Sequence, residues 1–197
     1  QSILKKRYKV KIYFYEIDKN NAFEKIGKVI LGKKWNDSKI INDLHNKIKK
    51  FQIHLIVPCT DPATIVLAKL KEKKKSEKII SSSVEAVKIC FDKIKMYNYL
   101  KKKDDKINLI PIEKKTFPIF VKPRAGSASI NTVKLKNRKE MKNFLININE
   151  KNYIFQKFLK GKEYTVDTYV DKKNIVGGII ARERVRVLHG ESIFMKT

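Results

Sequence analysis

The feature that most constrains this chain is the alternation of short apolar runs with helix-like segments over residues 8–91. The apolar runs predict strands at residues 8–17, 28–31, 53–57 and 78–81. Apolar residues at helical spacing predict helices at residues 38–51, 60–70 and 83–91. Ser38 is the predicted N-cap of the first helix, and Thr60 or Asp61 is that of the second, with Pro62 in its first turn. Because strands and helices take turns along the chain, the pattern predicts βαβ units on a mostly parallel sheet, which is an α/β fold.

The pattern changes after a lysine-rich turn at residues 101–106, which we interpret as a linker. Five of the seven glycines follow residue 125, and they lie between short strand candidates. Those candidates are residues 119–122, 132–135, 153–158, 164–169 and 175–187. A single helix is predicted after Asn137. The second half is therefore predicted as an α+β domain with antiparallel strands, and the change in composition predicts a boundary near residues 103–115.

The formal net charge of +26 raises nucleic-acid binding as a function. The charge comes from 40 lysines and only 6 arginines, and the lysines are spread through every segment. Because a specific nucleic-acid footprint is clustered and rich in arginine, this distribution argues against nucleic-acid binding as the main function. Arg124 and the group Arg182, Arg184 and Arg186 instead suggest positions that need a planar cation. The period-two spacing of that group is equally typical of the outward face of a strand.

Two further observations limit the class of protein. No apolar run reaches the roughly 18 to 20 residues that a membrane-spanning helix requires, so no membrane span is predicted. Cys59 and Cys90 have no CxxC partner, so neither a disulfide framework nor a zinc site is predicted. This cysteine usage favours a reducing, cytoplasmic location.

Residues 117–135 form the sharpest candidate binding segment. A predicted strand ends in Lys122, Pro123 and Arg124, and a loop of small residues follows. The loop is Ala125, Gly126, Ser127, Ala128 and Ser129. Small side chains let backbone N–H groups approach a phosphate, and the lysine adds a point charge. The segment predicts a polyphosphate site that is neither a Walker loop nor a Rossmann loop, and an ordinary hairpin turn is the alternative.

Two later segments complete the candidate site. A predicted strand runs into Gln156, Lys157, Phe158 and Leu159, turns at Gly161 and returns through Glu163. Such a strand edge suits an adenine ring and such a carboxylate suits ribose hydroxyls, although a surface hairpin has the same pattern. Residues 179–192 then alternate arginines with apolar residues, an arrangement that would clamp phosphoryl groups beside a triphosphate site.

These three segments, in this order, resemble the ATP-grasp superfamily, and in particular its carbamoyl-phosphate-synthetase-like branch. The PCTDP turn at residues 58–62 and the Asp92-Lys93 pair extend the resemblance over nearly the whole chain. It implies a Rossmann-like pre-ATP-grasp domain with a parallel sheet over residues 1–92. An α+β ATP-grasp domain, incomplete at its C-terminus, is implied over residues 93–197.

The resemblance also implies a set of ATP-binding residues. They are Lys93, Lys122, Arg124, Gly126, Ser127, Ala128, Ser129, Gln156, Lys157, Phe158, Leu159 and Glu163. Lys93 and Lys122 would reach the phosphates, residues 156–159 would hold adenine, and Glu163 would bind ribose. The family commonly has Glu where Gln156 stands, which leaves that contact open. Arg184 and Arg186 fall where basic residues approach the phosphates or the acid substrate, and they are assigned the catalytic role.

The implied function is that of an ATP-dependent ligase that uses ATP and Mg²⁺. Such enzymes phosphorylate a small carboxylate substrate and let an amine or similar nucleophile attack the acyl phosphate. The family's metal ligands would lie beyond Thr197, so we expect the chain to lack part of the active site. The alternatives are a non-catalytic ATP-binding subunit and a basic nucleic-acid-binding module, and a homodimer is a further possibility.

Overall fold

The structure is a computed structural model of the chain. It describes residues 10–20, 22–75, 78–104, 106–127, 129–171, 173–188 and 190–197. The chain divides into two compact units, Gln1–Val87 and Lys88–Thr197. Within the described residues, no helix is long and apolar enough to cross a membrane.

The first unit combines a small parallel sheet with helices. It contains strands β1 (Tyr13–Glu16) and β2 (Lys28–Leu31) and helices α1 (Ile40–Lys50) and α2 (Asp61–Lys74). Helix α3 (Val84–Phe91) runs from the first unit into the second. The two strands pair in parallel, as the alternation of elements predicted. The mixed α/β class is therefore confirmed, and the finer Rossmann-like arrangement stays a prediction.

Helices α1 and α2 supply most of the core of the first unit, because their apolar residues recur at helical spacing. The buried core residues are Ile40, Leu44, Ala63, Val66, Leu67, Leu70 and Ile79. Thr60 precedes α2 as its N-cap residue, and Pro62 lies in the first turn, where its missing N–H has no helical partner to lose. The sequence predicted both features of this helix start.

Two local predictions for the first unit are wrong. Ser38 does not cap α1, since the helix begins at Ile40 and the Asp37 carboxylate accepts the Lys39 N–H at 2.7 Å. Residues 53–57 do not form a buried strand, because only Ile56 is bridged, in parallel with Ile79, and Leu55 is 59% exposed. An apolar run by itself does not distinguish a sheet strand from an extended surface segment.

The second unit is built on an antiparallel sheet. Strands β3 (Ile119–Pro123), β4 (Val133–Leu135) and β5 (Tyr153–Lys157) pair in the order β4-β3-β5. Helices α4 (Lys93–Lys103) and α5 (Arg138–Ile146) belong to the same unit. The core of the unit combines buried sheet residues with side chains of α5. These residues are Ile119, Val121, Leu135 and Phe155, with Met141, Phe144 and Leu145 packed against them.

Side chains along β3 point alternately to the two faces of the sheet, and the two faces have different roles. Ile119 and Val121 are fully buried on the face that contributes to the core. Phe120 and Lys122 are therefore on the other face. Gln156 pairs directly opposite Phe120 on β5, so it shares that second face.

A second antiparallel sheet follows, with strands β6 (Tyr164–Val170), β7 (Val176–Leu188) and β8 (Glu191–Lys196) in that order. Many of its apolar side chains are exposed, including Ile179 and Phe194. The sequence predicted β6 and β7 but missed β8. The antiparallel arrangement predicted for the second half is confirmed in both sheets.

A tyrosine ties β1 to α1 in the first unit. The Tyr15 hydroxyl donates a hydrogen bond to the Asp43 carboxylate at 2.6 Å and accepts one from the Lys33 N–H at 2.8 Å. Burial, together with the Asp43 carboxylate, raises the pKa of Tyr15 well above its ordinary value. The tyrosine therefore stays a neutral hydrogen-bond donor across the physiological pH range. A Cβ atom at Gly32 would lie 2.1 Å from the Tyr15 ring, so this close approach requires glycine.

Replacement of Tyr15 by Phe should lower the free energy of unfolding by about 1 to 2 kcal/mol, because the Asp43 carboxylate and the Lys33 N–H lose a partner. Urea denaturation followed by circular dichroism measures the change. Tyr13→Phe is the matched control, since it removes a hydroxyl from the same strand without breaking these two bonds. Equal losses in the two variants would contradict the role given to the Tyr15 hydroxyl.

Candidate functional site

A cleft of about 620 Å³ lies within the second unit. Most of the residues that the sequence predicted as a site line it. They are Lys93, Lys122, Gly126, Ser127, Ser129, Gln156, Lys157, Phe158, Leu159, Glu163 and Arg184. The structure therefore brings all three candidate segments and the start of α4 to one place.

The antiparallel register of β3 and β5 explains why these segments meet. Phe120 pairs with Gln156 and Lys122 pairs with Ile154 across the two strands. Because Phe120 and Lys122 are two residues apart, both side chains lie on the cleft side of the sheet, together with Gln156. The opposite face carries the fully buried Ile119 and Val121. One alternating strand thus supplies both the core of the unit and the wall of the cleft.

Two lysines make one end of the cleft positive. Lys122 lies at the end of β3, and Lys93 is the first residue of α4. Burial lowers the pKa of Lys122, and the nearby charge of Lys93 lowers it further, whereas Glu163 acts in the opposite direction. The Lys93 ammonium group donates a hydrogen bond to the Gly126 carbonyl at 2.8 Å. An anion entering this end of the cleft would relieve the repulsion between the lysines.

The loop after β3 lies beside these lysines. Gly126 has a φ angle of +119°, a conformation that residues with a side chain rarely adopt. Ser127 and Ser129 line the cleft, and Ser129 has a left-handed φ of +53°. Ala128, which the sequence assigned to the same loop, lies outside the described residues. The small side chains leave the loop backbone accessible from the cleft, which suits contacts to an oxyanion.

Apolar side chains line the part of the cleft around Gln156, which we call its apolar end, although Lys157, Lys160 and Lys162 also line the cleft. Ile110, Phe120, Phe158 and Leu159 line it beside Gln156. The Gln156 side chain is 8% exposed and donates a hydrogen bond from Nε2 to the Ile110 carbonyl at 3.2 Å. This bond leaves the Gln156 amide oxygen as an acceptor at the apolar end. The arrangement suits a flat heterocycle with one polar edge.

The Lys134 ammonium group lies 3.9 Å from the centroid of the Phe158 ring. This distance is within the range of a cation–π contact. Phe158 also lines the cleft, so its ring is held by a residue from β4. The backbone N–H of Phe158 donates to the Pro118 carbonyl at 3.2 Å. Both contacts reduce the freedom of the segment that closes the apolar end.

Arg184 positions Glu163 at the edge of the cleft. Its guanidinium group pairs with the Glu163 carboxylate, and the backbone N–H of Arg184 donates to the Glu163 carbonyl at 2.7 Å. The remaining nitrogens donate to the Ser192 hydroxyl at 2.7 Å and to the Gly190 carbonyl at 2.6 Å. The planar donor fork of Arg184 is therefore committed to neighbouring protein groups.

Two residues predicted for the site are not among those that line the cleft. The Arg124 Nε atom donates to both carboxylate oxygens of Asp92, at 2.7 and 2.8 Å. Arg186 is exposed on β7 and lies opposite Phe194 on β8. Arg182, the third member of the arginine group, pairs with Asp167. The sequence located these arginines near the cleft but did not identify their partners.

The cleft also contains residues that the sequence analysis did not assign. They are Ile110, Phe120, Pro123, Ile130, Thr132, Lys160, Gly161, Lys162 and Val187. Phe120 could have been predicted as a cleft residue from the sequence, because it alternates with Val121 and lies two residues before Lys122. Ile110 gave no signal, since it lies in an irregular segment that reaches Gln156 only through the fold.

Metal binding by the cleft alone is not supported. The described residues contain no group of three or more His, Cys, Asp or Glu side chains placed to hold a metal ion. Glu163 is the one carboxylate among the described residues that line the cleft. A divalent cation that arrived with a nucleotide would be held largely by the phosphates. The described residues thus suit a nucleotide but do not form a magnesium site.

Comparison with known proteins connects this geometry to a family. A sequence model of the ATP-grasp domain matches residues 90–194. A D-alanine–D-alanine ligase from Clostridium botulinum (strain Alaska E43 / Type E3) is 37% identical over 73 residues, which cover 36% of this chain and 24% of the ligase. A second D-alanine–D-alanine ligase, from the strain Eklund 17B / Type B, is 36% identical over 73 residues. The chain therefore spans about a quarter of the curated relatives it matches.

Solved structures share the fold at lower identity. An L-amino acid ligase from Bacillus licheniformis has a TM-score of 0.68 at 17% identity, over 90% of this chain and 45% of the ligase. The biotin carboxylase domain of a 2-oxoglutarate carboxylase from Hydrogenobacter thermophilus, solved with MgADP, ADP and bicarbonate, has a TM-score of 0.69 at 15% identity. That match covers 91% of this chain and 46% of the carboxylase chain.

The family match covers more than half of the chain, and it includes every residue that lines the cleft. The similarity to solved ligases and carboxylases extends over most of the chain at the level of the fold. The chain therefore belongs to the ATP-grasp family.

Proposed function

We propose that this chain binds ATP in the cleft of its second unit and belongs to an ATP-dependent ligase. The ligase would activate a small carboxylate as an acyl phosphate, which an amine or similar nucleophile then attacks. The observation that carries the proposal is the polarity of the cleft. Lys93, Lys122 and a small-residue loop line one part of the cleft, and apolar side chains lie beside the buried Gln156 amide. This polarity matches a molecule with a flat base and a polyphosphate.

The distribution of charged and apolar side chains in the cleft favours one orientation of ATP. The adenine ring would enter between Phe158 and Leu159, with Gln156 at its polar edge. Glu163 would accept hydrogen bonds from the ribose hydroxyls, because Arg184 holds its carboxylate at the edge of the cleft. The phosphates would then reach Lys93 and Lys122. No step in this arrangement requires the chain to change its fold.

The domain assignment follows from the same proposal. Residues 93–197 would form the nucleotide-binding domain, which agrees with the start of the family match at residue 90. Residues 1–92 would form the pre-ATP-grasp domain of a carbamoyl-phosphate-synthetase-like member. Ligases of amino acids among the relatives favour a small carboxylate as the acceptor of the phosphoryl group.

The catalytic contribution of the described residues is electrostatic. The charges of Lys122 and Lys93 would stabilise negative charge that spreads over the transferring phosphoryl group. The N–H groups of the loop residues Gly126, Ser127 and Ser129 would add further donors. Magnesium, when bound with ATP, supplies further positive charge to the phosphates. Arg184 would act through Glu163, and Arg186 remains our candidate for contact with the acid substrate.

Saturating ATP should raise the melting temperature of the protein, and Lys122→Ala should abolish the rise. At about 100 times its Kd, ATP stabilises the folded state by about 2.7 kcal/mol, which corresponds to roughly 5 to 10 °C for a chain of this size. Differential scanning fluorimetry measures the shift. Lys142→Ala is the matched control, because it removes an exposed lysine from α5, outside the cleft.

The three candidate functions give different results in the thermal-shift assay with ATP and in further measurements of ADP release and DNA binding. A ligase shows the ATP shift and releases ADP only when a carboxylate is present. A non-catalytic ATP-binding subunit shows the shift without carboxylate-dependent ADP release. A nucleic-acid-binding module shows no ATP shift but binds duplex DNA with a steep salt dependence. The last result would overturn the proposed function.

ATP binding should take up protons at alkaline pH, below the ordinary lysine pKa of 10.5. In the free protein, burial and the charge of Lys93 lower the pKa of Lys122 from that value, so a larger part of the population is neutral at alkaline pH. Phosphate oxygens favour the charged lysine and raise this pKa, so binding draws a proton from the buffer. At alkaline pH the phosphates of ATP are already ionised and do not mask the effect.

Isothermal titration calorimetry in two buffers of different ionisation enthalpy gives the number of protons taken up. Lys122→Arg is the matched variant, because arginine keeps the charge but does not titrate in this range. We expect proton uptake to fall in this variant. Unchanged uptake would show that Lys122 is not the group that gains the proton.

A further inference from the structure

The pair of Asp92 and Arg124 joins the start of α4 to the end of β3. The Arg124 Nε atom donates to both oxygens of the Asp92 carboxylate, at 2.7 and 2.8 Å. The same carboxylate caps α4, since its Oδ1 atom accepts the N–H groups of Ile94 and Lys95 at 3.1 Å each. Asp92 therefore holds a helix start and an arginine at the same time.

Backbone hydrogen bonds reinforce the same junction. The Lys93 N–H donates to the Arg124 carbonyl at 2.9 Å, and the Arg124 N–H donates to the Asn152 carbonyl at 2.8 Å. Lys93 lies between Asp92 and Ile94, and both of these neighbours take part in the cap. The backbone position of Lys93 is thus set from both sides.

The junction continues into the phosphate end of the cleft. The Lys93 ammonium group donates to the Gly126 carbonyl at 2.8 Å. Gly126 follows Arg124 by two residues, in the loop that lines the cleft. Arg124 is therefore connected to Lys93 through Asp92 and through the loop. Arg124 itself is not among the residues that line the cleft.

Charge explains why an ion pair is suited to this place. Burial lowers the pKa of Lys122, and the nearby positive charge of Lys93 lowers it further. An additional cation at Arg124 without a carboxylate partner would increase the positive charge at this end of the cleft. The hydrogen bond from Arg124 keeps the pKa of Asp92 below its usual range, so the carboxylate stays ionised and balances the arginine. The junction thus holds its geometry without adding net charge to the end of the cleft.

We propose that Asp92 and Arg124 are positioning residues for the ATP phosphates, because they hold Lys93 and the start of the loop at Gly126 in the arrangement that phosphates need. The inference rests on the proposed function and assigns to Arg124 an indirect role in place of a contact with ATP. Its physical basis is preorganisation, since groups held in place before binding lose less freedom when the ligand arrives. Loss of the pair should weaken contacts to phosphates and leave contacts to adenosine intact.

The test compares ATP and adenosine as ligands for the purified protein by isothermal titration calorimetry. Arg124→Ala should weaken ATP binding by about tenfold or more, as expected for the loss of a charged hydrogen bond that supports the site. Adenosine binding should change by less than about twofold, because the apolar end is built from other residues. Arg138→Ala is the matched control, since it removes an exposed arginine at the start of α5, outside the cleft.

Two conservative variants separate the contributions of the pair. Asp92→Asn keeps an oxygen that can cap α4 but loses the charge attraction to Arg124, so we expect an intermediate loss of ATP affinity. Arg124→Lys keeps the charge but not the planar donor, and it should restore part of the affinity that Arg124→Ala loses. Circular dichroism and thermal melting establish that each variant is folded. If Arg124→Ala does not fold, these two variants carry the comparison.

The outcomes are distinguishable. Normal ATP affinity in Arg124→Ala would overturn the inference and leave the proposed function in place. Equal losses for ATP and adenosine would also overturn it, since the pair would then support the whole unit. If the wild-type protein binds adenosine and ATP with the same weak affinity, or neither, the proposed function fails and the inference fails with it.

Discussion

The partly buried charge of Lys122 is the constraint on which the rest of the site depends. An ammonium group at the end of a core strand is unfavourable unless a negative charge comes close to it. The neighbouring Lys93 makes this more pronounced, and Glu163 offsets it only in part. The small-residue loop beside the lysines leaves room for such an anion. Under the proposed function, the positive charge of Lys93 and Lys122 would favour the binding of a polyphosphate at this end of the cleft.

The antiparallel pairing of β3 with β5 converts this local constraint into a complete cleft. Each residue that faces the cleft alternates with one that faces the core, so a slip of one residue would bury Lys122 and expose Val121. The buried Ile119, Val121 and Phe155 therefore hold the register that sets Lys122 and Gln156 on the same side. Stability of the core and geometry of the cleft depend on the same pairing.

The sequence predicted those parts of the fold and site that depend on near neighbours. Period-two alternation located β3, β5, β6 and β7, and capping residues located the starts of α2 and α5. It could not predict that the apolar run at residues 53–57 stays largely outside a sheet, because this depends on which strands are available to pair. It also missed Ile110, whose carbonyl meets Gln156 across 46 residues of sequence. Contacts of this kind follow from the packed fold alone.

Ion pairs with carboxylates of the chain change the role that the sequence suggested for the arginines. Their scarcity among so many lysines indicated positions where a planar fork is needed, and phosphate was the predicted partner. In the described residues, Arg124, Arg182 and Arg184 each pair with a carboxylate of the chain, namely Asp92, Asp167 and Glu163. A paired arginine orients its carboxylate and loses most of its attraction for an external anion. The lysines, with mobile point charges, are then better suited to meet the phosphates. Under the proposed function, Arg124 and Arg184 would therefore orient the groups around the site, and Lys93 and Lys122 would supply the charge that meets the phosphates.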